Sequence, residues 1–205
     1  MTTVLLASRN AKKLAELRRV VAAAGITGLD VVGLDDVPEY PEEPETGATF
    51  EENALIKARS GAAATGLACL ADDSGISVDA LNGMPGVLSA RWSGRHGDDT
   101  ANNDLLLAQI ADVPAERRGG AFVSACALVL PTGSETVVRG EWRGTILPEP
   151  RGANGFGYDP LFVPDDEVAQ GRSSAELSGA EKDALSHRGK ALAQLVPALR
   201  ELSQG

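Results

Sequence analysis

Leu70-Ala71-Asp72-Asp73-Ser74-Gly75 decides how the rest of the chain is read. It closes the apolar run Leu67-Ala68-Cys69, which Gly66 sets off on its other side, so the pattern predicts a short buried strand ending at the two acids. Side chains at such an end leave the core and meet solvent. Two adjacent carboxylates resist joint ionisation there, because each raises the pKa of the other. A divalent cation removes that conflict, and hard Mg2+ prefers carboxylate and phosphate oxygens. Asp, Ser and Gly are also ordinary turn residues, and taken alone the stretch reads first as a strand-capping turn. Residues elsewhere reverse that order.

Upstream, Thr3 to Ala7 has the character of a buried first strand. Ser8-Arg9-Asn10-Ala11-Lys12-Lys13 follows, and Leu14, Leu17, Val21 and Ala24 then recur at helical spacing up to Gly25. Three cations therefore crowd the first turn of a helix, where the macrodipole disfavours them. A bound phosphate would resolve the conflict, sharing the backbone N–H groups and the cations; a solvated basic face costs only about tenths of a kcal/mol and competes with that reading. No Walker-type loop is present, since its glycines and Lys-Ser/Thr ending are missing.

Val31 to Leu34 reads as a second strand, and acidic Asp35 to Gly47, with Pro38, Pro41 and Pro44, as an irregular connection. Thr49 and Glu52 form a capping box for a helix that runs to Gly66 and carries Lys57, twelve positions after Glu45. Beyond the acids, Ile76 to Ala80 alternates as a half-exposed strand, and Asn82 to Gly86 is a tight turn. Asn102 to Ile110 carries an apolar helical stripe. Ala121 to Leu130 and Thr136 to Ile146 form a long hairpin around Pro131-Thr132-Gly133-Ser134.

Arg151-Gly152-Ala153-Asn154-Gly155-Phe156-Gly157-Tyr158-Asp159-Pro160 is too rich in glycine for a regular element. Glycines let a backbone approach a ligand closely, and an exposed Phe beside them offers a flat base a stacking surface. A connector whose Phe and Tyr plug the core accounts for the same residues. Leu161 to Val163 resumes a strand. Ser178 and Glu181 make another capping box, with Lys182 in the same turn. Ser186-His187-Arg188-Gly189-Lys190 opens a final amphipathic helix in which Pro197 is a possible kink. His187 and Arg188 together present several donors to a planar acceptor edge.

At 205 residues the chain is expected to be one large domain, residues 1–205, or two closely joined lobes, without need of a disulfide. Its only cysteines, Cys69 and Cys126, lie in apolar sequence and read as buried thiols of a reducing compartment, with a bridge between them left open. Met1 to Ala7 is too short an apolar run for a signal peptide, and no stretch reaches membrane-span length, so a cytoplasmic protein is expected. A net charge of −10, from 19 basic and 29 acidic residues, argues against a general nucleic-acid binder.

Taken together, Ser8-Arg9-Asn10-Ala11-Lys12-Lys13, Ala71-Asp72-Asp73-Ser74-Gly75, Gly83-Met84-Pro85-Gly86 with Ser89-Ala90-Arg91, Gly155 to Pro160, and Ser186 to Ala191 resemble the inosine triphosphate pyrophosphatase (Ham1-like) family from residue 3 to about 200, in the family's order. The resemblance implies a mixed α/β fold, a long twisted central sheet with flanking helices forming two lobes around an active-site cleft, and a homodimer. It implies Mg2+-dependent hydrolysis of dITP, ITP and XTP to monophosphate and pyrophosphate, which keeps such nucleotides out of DNA and RNA. By the same resemblance Ser8, Arg9, Asn10, Ala11, Lys12, Lys13 and Lys57 hold the phosphates, and Glu45 and Asp73 bind the metal. Asp73 is the proton acceptor, with Ser74 beside it touching substrate. Phe156, Gly157, Tyr158, Asp159, Lys182, His187 and Arg188 form the base pocket. A carboxylate bound to Mg2+ is a poor base, which leaves the division of ligand and base between Asp72 and Asp73 open. Two rival readings also stay open: a pyrophosphatase for modified pyrimidine or methylated nucleotides, and a nucleotide sensor without catalysis.

Overall fold

The computed structural model describes residues 1–166 and 169–204, apart from the side chain of Asp183. It is a mixed α/β fold, as the resemblance implies. Six strands, β1 (Thr2–Leu6), β2 (Leu29–Val32), β3 (Ala68–Val78), β4 (Gly119–Val129), β5 (Glu135–Ile146) and β6 (Phe162–Pro164), form one sheet in the order β2-β1-β3-β4-β5-β6. β1 pairs in parallel with β2 and with β3, whereas β5 and β6 are antiparallel. The helices are α1 (Ala11–Ala23), α2 (Phe50–Thr65), α3 (Asp99–Gln109), α4 (Gly179–Leu185) and α5 (His187–Gln204). The chain makes two compact units: Met1–Asp73 with Ser124–Gly140 and Arg188–Gly205, and Ser74–Val123 with Glu141–His187.

The first unit is built on parallel β-α-β logic. β1, buried over its last three residues, feeds α1 through Asn10, whose side chain accepts from the Lys12 N–H. This cap satisfies a helix donor that would otherwise lack a partner. Leu17 and Val21 of α1, Val4 and Leu6 of β1, Leu70 of β3, Cys126 and Leu128 of β4, and Leu192, Leu195 and Leu199 of α5 share one core. α2 is capped by Thr49, which accepts from the Glu52 N–H, and ends at Gly66 in the left-handed conformation. Gly61 lets α2 approach β3 closely, since a Cβ there would lie 2.5 Å from Cys69 Sγ. Cys69 and Cys126 are free and buried, and burial pushes both thiols up to about 12.

The second unit has its own core, with Ile76, Val78, Leu106, Ile110, Trp142 and Phe162 at its centre. Phe122 packs edge-on against Phe162 at 4.7 Å. α3 begins three residues earlier than the apolar stripe indicates, because Asp98 caps it by accepting from the Ala101 N–H.

β3 corrects the reading of the central stretch. Asp72-Asp73-Ser74-Gly75 is not a turn between two strands; the strand runs unbroken through it for 11 residues and ends at Val78. Both acids find partners in place and have no need to reach solvent: Asp72 meets Lys13 and Arg188, and Asp73 meets Asn53. Gly75 is present for space, since a Cβ would strike Ser89 Oγ and lie 2.6 Å from the Gly86 carbonyl oxygen. Ser89 Oγ, in turn, accepts from the Ile76 N–H at 2.9 Å.

Candidate active site

The acids of β3 have opposite surroundings. Asp72 is 4 % exposed. Lys13, from the first turn of α1, donates to its Oδ1 at 2.8 Å and lies 2.7 Å from Oδ2. Arg188, from the start of α5, donates to Oδ2 at 3.3 Å and also lies 3.6 Å from Glu16. Burial opposes the Asp72 charge, but Lys13 and Arg188 overcome it and hold the carboxyl far below the ordinary range. Burial likewise works against the Arg188 charge, and Asp72 and Glu16 keep it protonated beyond its usual value.

Asp73 differs. Burial pushes its carboxyl above the ordinary range, with the nearby charges of Glu45 and Asp72 acting in the same direction and Lys57 and Asn53 against it. Asn53, fully buried on α2, donates to Asp73 Oδ2 at 3.0 Å. Its own Oδ1 accepts from the Gly47 N–H at 2.8 Å, which ties the acidic connection to β3. Lys57, one helical turn further along α2, lies 2.8 Å from Glu45 Oε1 and 3.5 Å from Asp73 Oδ1. Burial disfavours the Lys57 charge, yet Asp73 and Glu45 raise its pKa. One ammonium thus serves two carboxylates that face the same point.

That pair suits a hard divalent cation. Among the described residues no group of three or more His, Cys, Asp or Glu is arranged to hold a metal. Mg2+ asks for less: one or two carboxylates, with water and substrate phosphates completing its octahedron. Glu45 and Asp73 would supply them.

The remaining candidates of the first unit cluster at the start of α1. Ser8 Oγ accepts from the Asn10 N–H at 3.2 Å, and Asn10 caps the helix. Ala11 and Lys12 are exposed in the first turn. Arg9 is exposed and pairs with Glu42 at 2.6 Å.

In the second unit, the glycine-rich stretch presents Phe156, 50 % exposed. Lys182 sits over its ring, 5.3 Å from the centroid. Asp159 is buried and organises both: it accepts from the Phe156 N–H at 2.9 Å and from Ser174 Oγ at 2.8 Å, and it pairs with Lys182. Tyr158 is buried and donates to the Ser89 carbonyl at 2.9 Å. Gly157, with φ +62°, lies between them. Ser74 is half-buried on β3. His187 is buried with its ring stacked on Phe122 at 5.1 Å.

Sequence reasoning missed Asn53 and Glu16. Each carries a signal visible in hindsight. Asn53 lies among the core-facing residues Phe50 and Ala54 and four positions before Lys57, and Glu16 lies beside Leu17 and three positions after Lys13. A polar residue on a buried helical face needs a partner, and here the partners are the site itself.

The fold and this centre define a mixed α/β protein in which two adjacent acids on a central strand gather cationic side chains from α1, α2 and α5. A sequence profile of the Ham1 family matches residues 4–198. A protein of Nocardia farcinica named dITP/XTP pyrophosphatase is 70% identical over 203 residues, covering 99% of this chain and 97% of that protein. Its namesake from Mycolicibacterium paratuberculosis is 70% identical over 204 residues, covering 100% and 98%. Among solved structures, a nucleoside-triphosphatase / dITP/XTP pyrophosphatase of Mycobacterium abscessus superposes with TM-score 0.82 at 66% identity, covering 97% of this chain and 100% of that one. A HAM1 protein of Coxiella burnetii gives TM-score 0.87 at 40% identity, covering 98% and 100%. The chain belongs to the Ham1 family.

Proposed function

We propose that the chain is a dITP/XTP pyrophosphatase, a hydrolase that cuts non-standard purine nucleoside triphosphates into the monophosphate and pyrophosphate. The similarity to proteins of that name along the whole chain supports the activity. ITP as a further substrate, Mg2+ as cofactor, removal of such nucleotides before they enter DNA and RNA, a homodimer and a cytoplasmic location complete the reading. Among the described residues no helix is long and apolar enough to cross a membrane.

The observation that carries the chemistry is the contrast between adjacent carboxylates. Asp72 is saturated by Lys13 and Arg188 and held ionised, so it acts as a fixed anion that positions cations. Asp73 has its carboxyl raised and is therefore the more basic of the two. Hydrolysis between the α and β phosphates needs charge neutralised along the chain and a water held in line, with little covalent work for the protein. Asp73 would orient that water and take its proton as the water oxygen bonds to phosphorus and pyrophosphate leaves. Lys13, Lys57 and the amides and side chains of Ser8, Arg9, Asn10, Ala11 and Lys12 would bind the phosphate oxygens, and Ser74, next to Asp73 in sequence, would touch substrate. Mg2+ held by Glu45 would act as a Lewis acid on those oxygens, with Asp73 as a second ligand only while it is not taking the proton. Asn53 holds Asp73 in orientation.

Base recognition belongs to Phe156, Gly157, Tyr158, Asp159, Lys182, His187 and Arg188. Phe156 offers the stacking face, and Lys182 adds a donor above it. Asp159 and Tyr158 contribute by holding that surface, because their side chains are buried and engaged. Hypoxanthine and xanthine carry a carbonyl at C6 where adenine carries an amine. Donors from His187 and Arg188 would favour the carbonyl, and a polar site can reject a mismatched edge strongly. The test is purified protein with Mg2+ and a panel of dITP, XTP, ITP, dGTP and ATP, with pyrophosphate and orthophosphate measured separately. Pyrophosphate from the first three, with far less from dGTP and ATP, is expected. Orthophosphate alone, or binding without turnover, would overturn the reading.

A further inference from the structure

We infer that Asp99 and Asn103 of α3 are positioning residues for base recognition, acting through a two-point clamp on Gly157. The inference rests on the reading of Phe156 as the stacking face. Asp99 Oδ2 accepts from the Gly157 N–H at 2.7 Å, and Asn103 Nδ2 donates to the Gly157 carbonyl at 3.0 Å. The two side chains are four positions apart on one helix, so they share a face and reach one peptide unit on each side of Gly157. Both backbone polar groups of that glycine are thereby fixed. The positive φ of Gly157 suits glycine, and nothing in its backbone stiffness would hold it there otherwise.

The clamp completes a set of restraints on one short loop. Asp159 holds the Phe156 N–H, and the Asp159 N–H returns to the Phe156 carbonyl at 3.3 Å. Tyr158 is anchored to Ser89. A large aromatic ring left half exposed gains little from burial, so its orientation depends on the backbone beneath it together with contacts such as Lys182 over its face. Asn103 is 9 % exposed and carries a buried Oδ1 with no hydrogen-bond partner among the described residues, a cost accepted where Nδ2 grips the loop. Neither residue belongs to the phosphate-binding centre of the first unit. Losing the clamp should therefore weaken recognition of the base and leave handling of the triphosphate intact.

The experiment compares wild type with D99A, D99N and N103L on dITP and on ribose 5-triphosphate, which has no base. Pyrophosphate release and thermal melting are followed for each. D99A is the variant least at risk in folding, because Asp99 is exposed; D99N keeps an acceptor oxygen. The expected result is a KM for dITP raised about tenfold in D99A and N103L with kcat little changed, restored largely in D99N. Turnover of ribose 5-triphosphate should be unchanged throughout. Equal losses on both substrates, or no loss on dITP in D99A, would overturn the clamp. A wild-type protein that releases no pyrophosphate from dITP would instead overturn the proposed function.

Discussion

Lys13 Nζ lies 2.8 Å from Oδ1 and 2.7 Å from Oδ2 of Asp72, a pair joining residues 59 positions apart. The contact places the cation of a helix N-terminus on a central strand and explains how that helix tolerates it. Asp72 compensates Lys13, Glu16 joins it in meeting Arg188, and Lys12 in the same turn is exposed to water. D72N should therefore be costly. Breaking a buried pair by removing one partner typically costs about 3–5 kcal/mol. Because the folded pKa of Asp72 lies below the unfolded value, its stabilisation is present above about pH 3.9 and is lost as pH falls through the folded value. Urea unfolding of wild type and D72N should show a large gap at neutral pH that narrows in acid. A constant gap would contradict this assignment.

D73N should retain nucleotide binding and turn over at least about tenfold more slowly, the low end for losing a general base. Isothermal titration with dITP in Ca2+ and steady-state assays in Mg2+ separate the two effects. Unchanged turnover would remove Asp73 from the role.

The sign of the Asp73 shift makes a second forecast. Its folded pKa is raised, so the stability linked to it is present below the unfolded pKa and lost as pH rises through the folded one. Carboxyl NMR of metal-free protein should place its midpoint above about 3.9, the ordinary aspartate value. Adding Mg2+ should move the midpoint down, since a bound cation favours the carboxylate. No movement would argue against Asp73 as a ligand.

N53L removes the donor to Asp73 and the acceptor for the Gly47 N–H, two residues from Glu45. Loss of outer-sphere partners typically costs about 10–100-fold in metal affinity or activity. The Mg2+ concentration for half-maximal activity should rise by about tenfold. A metal requirement equal to wild type would show that Asn53 serves packing alone.

G75A tests why the strand passes through its acids unbroken. The added methyl would meet Ser89 and the Gly86 carbonyl, and overpacking of this kind costs about 1–3 kcal/mol. The melting temperature should fall by about 2–4 °C for each kcal/mol in a chain of this size. A melting temperature equal to wild type would mean that the surrounding loop yields freely.

Local rules in the sequence determined most elements. Thr49 and Ser178 announce helix starts through their caps, Gly66 a helix end, and the apolar stripe of α1 its buried face. The family and its motifs were also legible, because five short segments in fixed order identify it without any contact being known. Only the tertiary structure decided the path through Asp72-Asp73-Ser74-Gly75. Read locally, two acids followed by Ser-Gly turn towards water; in the fold, Lys13, Arg188 and Asn53 arrive from distant positions and make it possible to bury them. The same holds for the unequal basicity of the two aspartates and for the parts played by Asn53 and Glu16. Short-range propensities are written along the chain. The free energy of a buried charge depends instead on which partners the fold brings within hydrogen-bonding distance, and no window of neighbouring residues contains that information.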